Sequence, residues 1–264
     1  MRASTVTIKT EQDIERLRIS GRLAAQVLEM IGPYIKAGVS TEYLDDICND
    51  YIVNTLQVIP ANVGYHGFTK TTCISVNEEV CHGIPSAKRL LQDGDILNID
   101  VAVIKDGYFG DTSRMYFVGE PASEAKKLVE TTYEAMLAGI HTVKPGATLG
   151  DIGHAIQSVA QREGYSIVRE YCGHGIGRVY HEQPNILHYG QKGQGMVLKK
   201  GMVFTIEPMV NAGKPQIKEL SDGWTVVTQD KSLSAQWEHM VAVTDDGFEL
   251  LTPWPNGTGH YPSI

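Results

Sequence analysis

The alternation of apolar and polar positions is sharpest in one stretch, Ile96 to Asp111, where it predicts two strands joined by a tight turn. The first strand is mostly β-branched and apolar, and Asp106-Gly107 follows it. This dipeptide is typical of a type I′ turn, because both central residues must tolerate positive φ. Pairing outward from the turn places Ala102 opposite Asp111, so the side chains of Asp100 and Asp111 share a face.

This hairpin therefore carries two carboxylates as diagonal neighbours, roughly 7–8 Å apart at the backbone. On strands this apolar, Asp100 and Asp111 repel each other unless a cation lies between them. The alternative is that one aspartate caps a turn and the other is solvated. The hairpin alone does not decide between a cation site and this ordinary role.

Apolar residues recur at helical spacing in four other segments. The first begins at a capping box of Thr10 and Asp13 and ends near Pro33. The other predicted helices run from Ser40 or Thr41 to about Asn54, from Glu124 to about Val143, and from Leu149 to Glu163. Short strands are predicted at Cys73 to Val76, Val203 to Glu207 and Gln236 to Val243, with turns at Cys81 to Pro85 and Cys172 to Gly177.

Two short strings recur later in the chain at nearly one offset. The first, Lys36-x-Gly38-x-Ser40-x-x-x-Leu44, returns 108 residues on as Lys144-x-Gly146-x-Thr148-x-x-x-Ile152. The second, Leu91-x-x-Gly94-x-Ile96-x-x-Ile99-Asp100, returns 107 residues on as Leu198-x-x-Gly201-x-Val203-x-x-Ile206-Glu207. The repeat predicts one α+β domain, residues 1–264, with similar halves at roughly 10–120 and 121–250 about a pseudo-twofold axis. It also makes Glu207 the counterpart of Asp100. Chance similarity of short glycine-containing strings is the alternative.

Composition excludes several classes of protein. The net charge of −8 argues against a general nucleic-acid binder. No apolar run approaches the roughly 18 residues of a membrane span, and the N-terminus lacks the apolar core of a signal peptide. The four cysteines, Cys48, Cys73, Cys81 and Cys172, show no CxxC spacing and predict buried, reduced thiols. A cytoplasmic location is expected.

Five side chains form a candidate metal centre: Asp100, Asp111, His174, Glu207 and Glu238. The flanking glycines of His174 let the backbone approach closely and leave the imidazole free. Four carboxylates and one imidazole suit two divalent ions such as Mn, Co, Fe or Zn. Paired ions about 3.5–4 Å apart can hold a hydroxide and polarise a carbonyl group.

Other motifs are incomplete or ambiguous. His181-Glu182 begins like HExxH, but Asn185 stands where the second histidine belongs. No GxSxG, P-loop or GxGxxG motif is present. His82 and His181 fit a turn or a core as well as a site. The aromatic residues Tyr65, Phe68, Tyr180 and Trp224 are usually core residues singly, but their positions near histidines favour a substrate pocket.

These residues resemble the bacterial type I methionine aminopeptidases, which have the pita-bread fold. The resemblance extends from the first helix to about Leu251. Its most specific pieces are Cys81-His82-Gly83-Ile84-Pro85, Asn98-Ile99-Asp100-Val101, Gly110-Asp111-Thr112-Ser113, Gly173-His174-Gly175-Ile176-Gly177, Thr205-Ile206-Glu207-Pro208 and Gln236-Trp237-Glu238-His239.

The resemblance implies that the five candidate ligands hold two divalent metals. It also implies substrate roles for His82 and His181 and a methionine pocket near Tyr65, Cys73, Tyr180 and Trp224. Three departures bear on the shape of the pocket: Asn62 where relatives often have Cys, Tyr180 where Phe is common, and Trp237 where Tyr is common.

The function implied is removal of N-terminal methionine from nascent polypeptides when the next residue is small. Glu207, followed by Pro208 and therefore extended, is the candidate base. The expected partners are polypeptide N-termini and, as a contact to test, the ribosome. No membrane and no specific nucleic acid are expected, and the protein is expected to be a monomer. The alternatives are an Xaa-Pro peptidase of the same fold and a pita-bread binding protein that has lost its metals.

Overall fold

The computed structural model describes residues 6–254, which fold into four α-helices and fifteen strands. The predicted domain boundaries, residues 1 and 264, lie outside this range. The helices are α1 (Glu11–Ile31), α2 (Thr41–Asp50), α3 (Ser123–Ile140) and α4 (Leu149–Arg162). Single 3₁₀ turns lie at Gly32–Tyr34 and Tyr65–Gly67, and a π-helical turn, Tyr51–Thr55, continues α2.

Within the described range every strand pair is antiparallel. The strands are β1 (Ile59–Pro60), β2 (Thr72–Val76), β3 (Glu79–Cys81), β4 (Ile96–Lys105), β5 (Tyr108–Phe117), β6 (Ser166–Ile167), β7 (Gly173–Gly175), β8 (Glu182–Ile186), β9 (Val203–Ile206), β10 (Met209–Asn211), β11 (Ile217–Glu219), β12 (Val226–Thr228), β13 (Ser234–Gln236), β14 (His239–Val243) and β15 (Phe248–Leu250). The two largest sheets are β1-β4-β2 with β5 added on β4, and β15-β14-β9-β7-β8. The α+β prediction is confirmed.

The hairpin is confirmed residue by residue. Asp106 and Gly107 have φ of 52° and 78°, as a type I′ turn requires. Ala102 pairs with Asp111, and Asp100 pairs with Ser113. Helix α1 packs on this hairpin at Gly110, where a Cβ would lie 2.2 Å from the carbonyl oxygen of Ser20. Only glycine allows this close approach beside Asp111.

The first helix begins as predicted. Thr10 accepts a hydrogen bond from the backbone N–H of Asp13, and the Asp13 carboxylate accepts one from the backbone N–H of Thr10 at 2.9 Å. Two N–H groups that lack a partner within the helix are thereby satisfied. The buried face of α1 then covers β4 and β5 and so fixes the helix above the hairpin.

Two predicted elements are wrong in form. The segment from Cys172 to Gly177 contains strand β7 rather than a turn, because its glycines serve close packing: a Cβ on Gly173 would lie 2.3 Å from the carbonyl oxygen of Thr205. The predicted strand Gln236 to Val243 is broken between β13 and β14, because Glu238 turns aside to bridge to Ser113 of β5. Of the four cysteines, all free, Cys172 is half-buried rather than buried.

The two predicted halves make equivalent contacts. Ser40 bridges to Leu90 ahead of α2, and Thr148 bridges to Val197 ahead of α4. Gly38 and Gly146 precede these bridges with φ of 85° and 88°. The pseudo-twofold relation of the halves remains a prediction, which these contacts support. In the described part of the chain, no helix is both long and apolar enough to cross a membrane.

Candidate metal centre

The β4–β5 hairpin contributes two carboxylates to one cavity. Because the register sets Asp100 and Asp111 diagonally on one face, both side chains line this cavity. The Asp111 side chain is buried. Oδ1 of Asp100 is buried and has no hydrogen-bond partner within residues 6–254. A buried carboxylate oxygen without a donor is costly unless a cation reaches it.

The second half contributes His174 from β7 and Glu207, which immediately follows β9. Thr205 links the two: its hydroxyl accepts from the backbone N–H of His174 at 3.0 Å and donates to Oε1 of Glu207 at 2.6 Å. The Nε2 atom of Gln236 lies 3.4 Å from the other oxygen of Glu207. The backbone N–H of Glu207 donates to Nε2 of His188 at 3.2 Å. Two side chains, Thr205 and Gln236, thus orient the carboxylate of Glu207, and His188 holds its backbone.

Glu238 lies where the two large sheets meet. Its backbone N–H donates to the carbonyl of Ser113 at 3.2 Å, and the hydroxyl of Thr112 donates to its carbonyl at 2.7 Å. Both contacts fasten it to β5 next to Asp111. The same interruption that breaks the predicted strand therefore turns Glu238 toward the carboxylates of the hairpin.

The five candidate ligands come together, and three form a tight group. One ligand atom each from Asp111, His174 and Glu238 lies within 4.8 Å of the other two. Nε2 of His174 lies 3.4 Å from Asp111 Oδ2 and 3.6 Å from Glu207 Oε1. Asp100 and Glu207 line the same cavity.

Burial and mutual repulsion dominate the electrostatics of this centre. Burial, reinforced by the neighbouring acids, raises the pKa of both Asp100 and Glu238 well above the ordinary values. Burial also raises the pKa of Glu207 to about 7. For His174, burial alone would lower the pKa, but hydrogen bonding and charge attraction to Asp111 and Glu207 outweigh it and raise the pKa. Four acids around one imidazole, of which Asp111 and Glu238 are buried and Asp100 has an unpartnered oxygen, fit a divalent cation site.

Two further histidines border the acids. Nδ1 of His181 lies 2.7 Å from the hydroxyl of Tyr65, and its ring centroid is 4.1 Å from that of His174. Burial, together with the neighbouring His174 and His82, lowers the pKa of His181 to about 3, so the ring is neutral near pH 7. Burial also lowers the pKa of His82. Both rings can therefore donate one N–H and accept at the other nitrogen.

An aromatic wall adjoins the acids in the same cavity, whose volume is about 230 Å³. Phe68 and Trp224 meet edge to face at 5.0 Å, and Tyr65 meets Tyr180 in the same way at 5.0 Å. Asn62 and Cys73 complete the lining. The structure thus brings together all the residues that the sequence assigned to the substrate pocket.

One expectation about the pocket is wrong. Trp237 was expected to affect its shape, but the side chain is fully buried in the core of the second half. Its indole N–H donates to the carbonyl of Val129 at 3.0 Å, and its ring packs against Tyr133 and Trp254. Trp237 points away from the cavity because side chains of successive residues in extended backbone face opposite sides, and Glu238 takes the side of the acids.

Sequence reasoning missed the residues that orient Glu207. Thr205 could have been found, because residues two apart in a strand share a face, so its hydroxyl lies beside the carboxylate of Glu207. His188 and Gln236 gave no local signal, since they reach Glu207 only through the pairing of distant strands.

Comparisons with known proteins agree with this geometry. The model of metallopeptidase family M24 matches residues 15–245. The methionine aminopeptidase of Escherichia coli K12 is 59% identical over 247 residues, which cover 94% of each chain. A crystal structure of methionine aminopeptidase from Rickettsia prowazekii superposes with a TM-score of 0.92 at 53% identity, covering 94% of this chain and 100% of that one. Prolidase from Pyrococcus furiosus superposes with a TM-score of 0.73 at 25% identity, covering 93% of this chain but only 65% of that one.

Proposed function

The chain belongs to metallopeptidase family M24, and from its identity of 59% to the E. coli methionine aminopeptidase we infer that it is a methionine aminopeptidase of the bacterial type I form. It removes N-terminal methionine from polypeptides. The observation that carries this function is the single cavity in which five ligand-type side chains adjoin an aromatic pocket. Because the acids and the aromatic residues line one cavity, the peptide bond that follows a bound N-terminal residue would lie beside the acids.

Membership of the family implies divalent metal, and we propose two ions. Asp100 and Asp111 would hold one, His174 and Glu207 the other, with Asp111 and Glu238 bridging. Bound there, divalent ions would act as Lewis acids and lower the pKa of water. The tight group of Asp111, His174 and Glu238 supports this assignment, because it brings both proposed bridging residues within reach of a ligand of the second ion.

His181 would hydrogen-bond the carbonyl oxygen of the scissile peptide as negative charge develops there. We assign the hydroxyl of Tyr65, 2.7 Å from Nδ1, as the donor of this bond, which would leave the proton of the neutral ring on Nε2. That N–H is then available as a donor to the substrate. Donors held in place before the reaction stabilise such charge more than mobile water does. His82 would orient the scissile amide or help to protonate the leaving nitrogen.

Glu207 would act as the base, taking a proton from the attacking water and passing it to the leaving amine. Its carboxylate lines the cavity, and Thr205 and Gln236 hold it there. A base that is held in one orientation loses less entropy on reaching the transition state of proton transfer.

The pocket accounts for methionine selectivity. Tyr65, Tyr180 and Trp224 with Cys73 offer polarizable, mostly apolar surface to a flexible thioether. One methylene in such a pocket is worth about 1–3 kcal/mol, so norleucine should be tolerated better than Val or Lys. A small second residue such as Ala, Gly or Ser should follow the methionine.

The alternatives have less support. The chain is 59% identical to the E. coli methionine aminopeptidase but 25% identical to the P. furiosus prolidase, so the prolidase alternative has the weaker support. A binding protein without metals has no need for five ligand-type side chains in one cavity.

An assay of metal-free protein on Met-Ala-Ser and on Xaa-Pro peptides across a metal series tests the proposal. We expect Met-Ala-Ser to be cleaved after addition of Mn, Co or Fe, with Xaa-Pro peptides cleaved poorly. Faster cleavage of Xaa-Pro peptides would favour the prolidase alternative. No cleavage of either with any metal would favour the binding protein.

A further inference from the structure

The wall of the apolar pocket contains a buried polar pair, Asn62 and Tyr180. The hydroxyl of Tyr180 lies 2.8 Å from Oδ1 of Asn62, and Nδ2 of Asn62 lies 3.1 Å from the carbonyl oxygen of Thr71. Asn62 is 6% exposed and Tyr180 is 7% exposed, and both line the cavity. Asn62 and Tyr180, which both differ from the residues common in the resembled family, therefore contact each other. This contact joins the first half of the chain to the second.

The direction of these bonds follows from Thr71. Its carbonyl only accepts, so the amide nitrogen of Asn62 must face it and the amide oxygen must face Tyr180. Tyr180 is consequently the donor. Within residues 6–254, the second N–H of the Asn62 amide and the lone pairs of the Tyr180 hydroxyl have no hydrogen-bond partner.

This unused hydrogen-bonding capacity is poorly matched to methionine. A thioether sulfur is only a weak acceptor, and the rest of the wall, formed by Phe68, Cys73 and Trp224 with the Tyr65 ring, offers mostly apolar surface. A sulfoxide has the same chain length as methionine and carries a strong acceptor oxygen. In an apolar pocket that oxygen would lose its hydration without replacement, whereas a donor in the wall would replace the lost water.

We propose that this enzyme also removes N-terminal methionine sulfoxide, with the sulfoxide oxygen accepting a hydrogen bond from the amide of Asn62. The proposal rests on the proposed methionine aminopeptidase activity. The reaction is the same hydrolysis: the C–N bond breaks, water supplies OH to the carbonyl carbon and H to the nitrogen, and the sulfur keeps its oxidation state. Because the donor lies on one wall, one of the two sulfoxide epimers should be preferred.

The test compares kcat/KM for Met-Ala-Ser, for the two separated sulfoxide epimers of the same peptide, and for norleucine-Ala-Ser. The key variant is Asn62→Leu with Tyr180→Phe, which replaces both partners by apolar groups of similar shape. Each protein's own rate on Met-Ala-Ser is the internal reference. Cys73→Ala is the matched control, because it alters the same pocket but keeps both hydrogen-bonding groups of the pair.

In the parent, we expect the better epimer to be cleaved within about tenfold of methionine, and the two epimers to differ. In the double variant, the ratio of sulfoxide to methionine should fall about tenfold or more, the equivalent of about 1.4 kcal/mol. The ratio of norleucine to methionine should not fall. Cys73→Ala should change the sulfoxide and methionine rates together.

The proposal would be overturned if the parent cleaved both epimers at less than about one hundredth of its methionine rate. It would also be overturned if the ratio of sulfoxide to methionine cleavage in the double variant stayed within twofold of the parent ratio. If the double variant does not fold, as judged by circular dichroism, Asn62→Leu alone serves, because it removes the proposed amide donor; the ratio of sulfoxide to methionine should then fall a few-fold, and no change would contradict the proposal. Normal methionine cleavage without sulfoxide cleavage removes this inference alone. Failure on every peptide removes the proposed function as well.

Discussion

Asp100 and Glu207 occupy equivalent places in the predicted repeat, yet the protein holds them differently. Oδ1 of Asp100 is buried without a partner in the described part of the chain. The carboxylate of Glu207 is bonded by Thr205 and approached by Gln236, and its backbone N–H donates to His188. A carboxylate that only binds a cation needs no hydrogen-bond partner in the protein, whereas a carboxylate that also transfers a proton must be held in one orientation.

The local structure explains the difference. Asp100 lies in the middle of a regular hairpin between Cys73 and Ser113, so the backbone alone fixes its direction. Glu207 lies past the end of β9, before Pro208, where no ladder bonds constrain it. Side-chain bonds replace the missing ladder there.

The largest effect should come from removing the metal, since Asp100 and Glu207 would each lose the ion that they are proposed to hold. Chelation should reduce cleavage of Met-Ala-Ser to background, and Mn, Co or Fe should restore it. Heat-treated protein with the same metals is the control for free-ion hydrolysis. Full activity after exhaustive chelation, with no metal by elemental analysis, would refute metal dependence.

The proposed difference between Asp100, a metal ligand only, and Glu207, a ligand and a base, is tested directly by Asp100→Asn and Glu207→Gln. Glu207→Gln keeps the size of the side chain but removes the base, so kcat should fall by about 10²–10⁴ even at saturating metal. Asp100→Asn should weaken metal binding, and part of its activity should return as the metal concentration rises. A titration of kcat against metal, with bound metal measured in parallel, separates the two. A Gln variant with full metal occupancy and kcat within a few-fold of the parent would remove Glu207 from the mechanism.

A smaller effect is expected for the hydroxyl that orients Glu207. Thr205→Val removes it at nearly constant volume and should lower metal affinity or kcat by about 10–100-fold. Thr205→Ser keeps the hydroxyl and should retain most of both. Metal affinity of the metal-free protein, measured by calorimetry, and kcat provide two readouts. Equal behaviour of Val and Ser would mean that Thr205 acts only through packing.

The smallest effects should be equal in the two halves. Gly38 and Gly146 have φ of +85° and +88° with nothing within 4 Å of an added Cβ, so only backbone conformation opposes Ala. Gly38→Ala and Gly146→Ala should each lower the free energy of unfolding by about 1 kcal/mol, as measured by urea denaturation. Costs that differ by more than twofold would argue against equivalent scaffolds in the two halves.

Much of the scaffold was predictable because its signals are local. The turn at Asp106-Gly107, the capping box at Thr10 and the four helices follow from residues close together in the chain. The two errors, β7 and the broken strand at Glu238, have one cause. Both depend on a distant chain segment: Thr205 against Gly173, and Ser113 against Glu238.

The sequence by itself determined the chemical types of the candidate site residues and predicted their roles, since carboxylate, imidazole and turn types are fixed by residue identity and short spacing. Only the tertiary structure decided how those residues are held. Oδ1 of Asp100 has no hydrogen-bond partner in the described part of the chain, whereas the carboxylate of Glu207 accepts from Thr205. Trp237 lies in the core, and Asn62 is hydrogen-bonded to Tyr180. The physical reason is that hydrogen bonds and burial depend on atoms within a few ångströms of each other. For Asn62 and Tyr180 those atoms come from different halves, 118 residues apart in the chain, and for Glu207 and His188 they come from segments 19 residues apart.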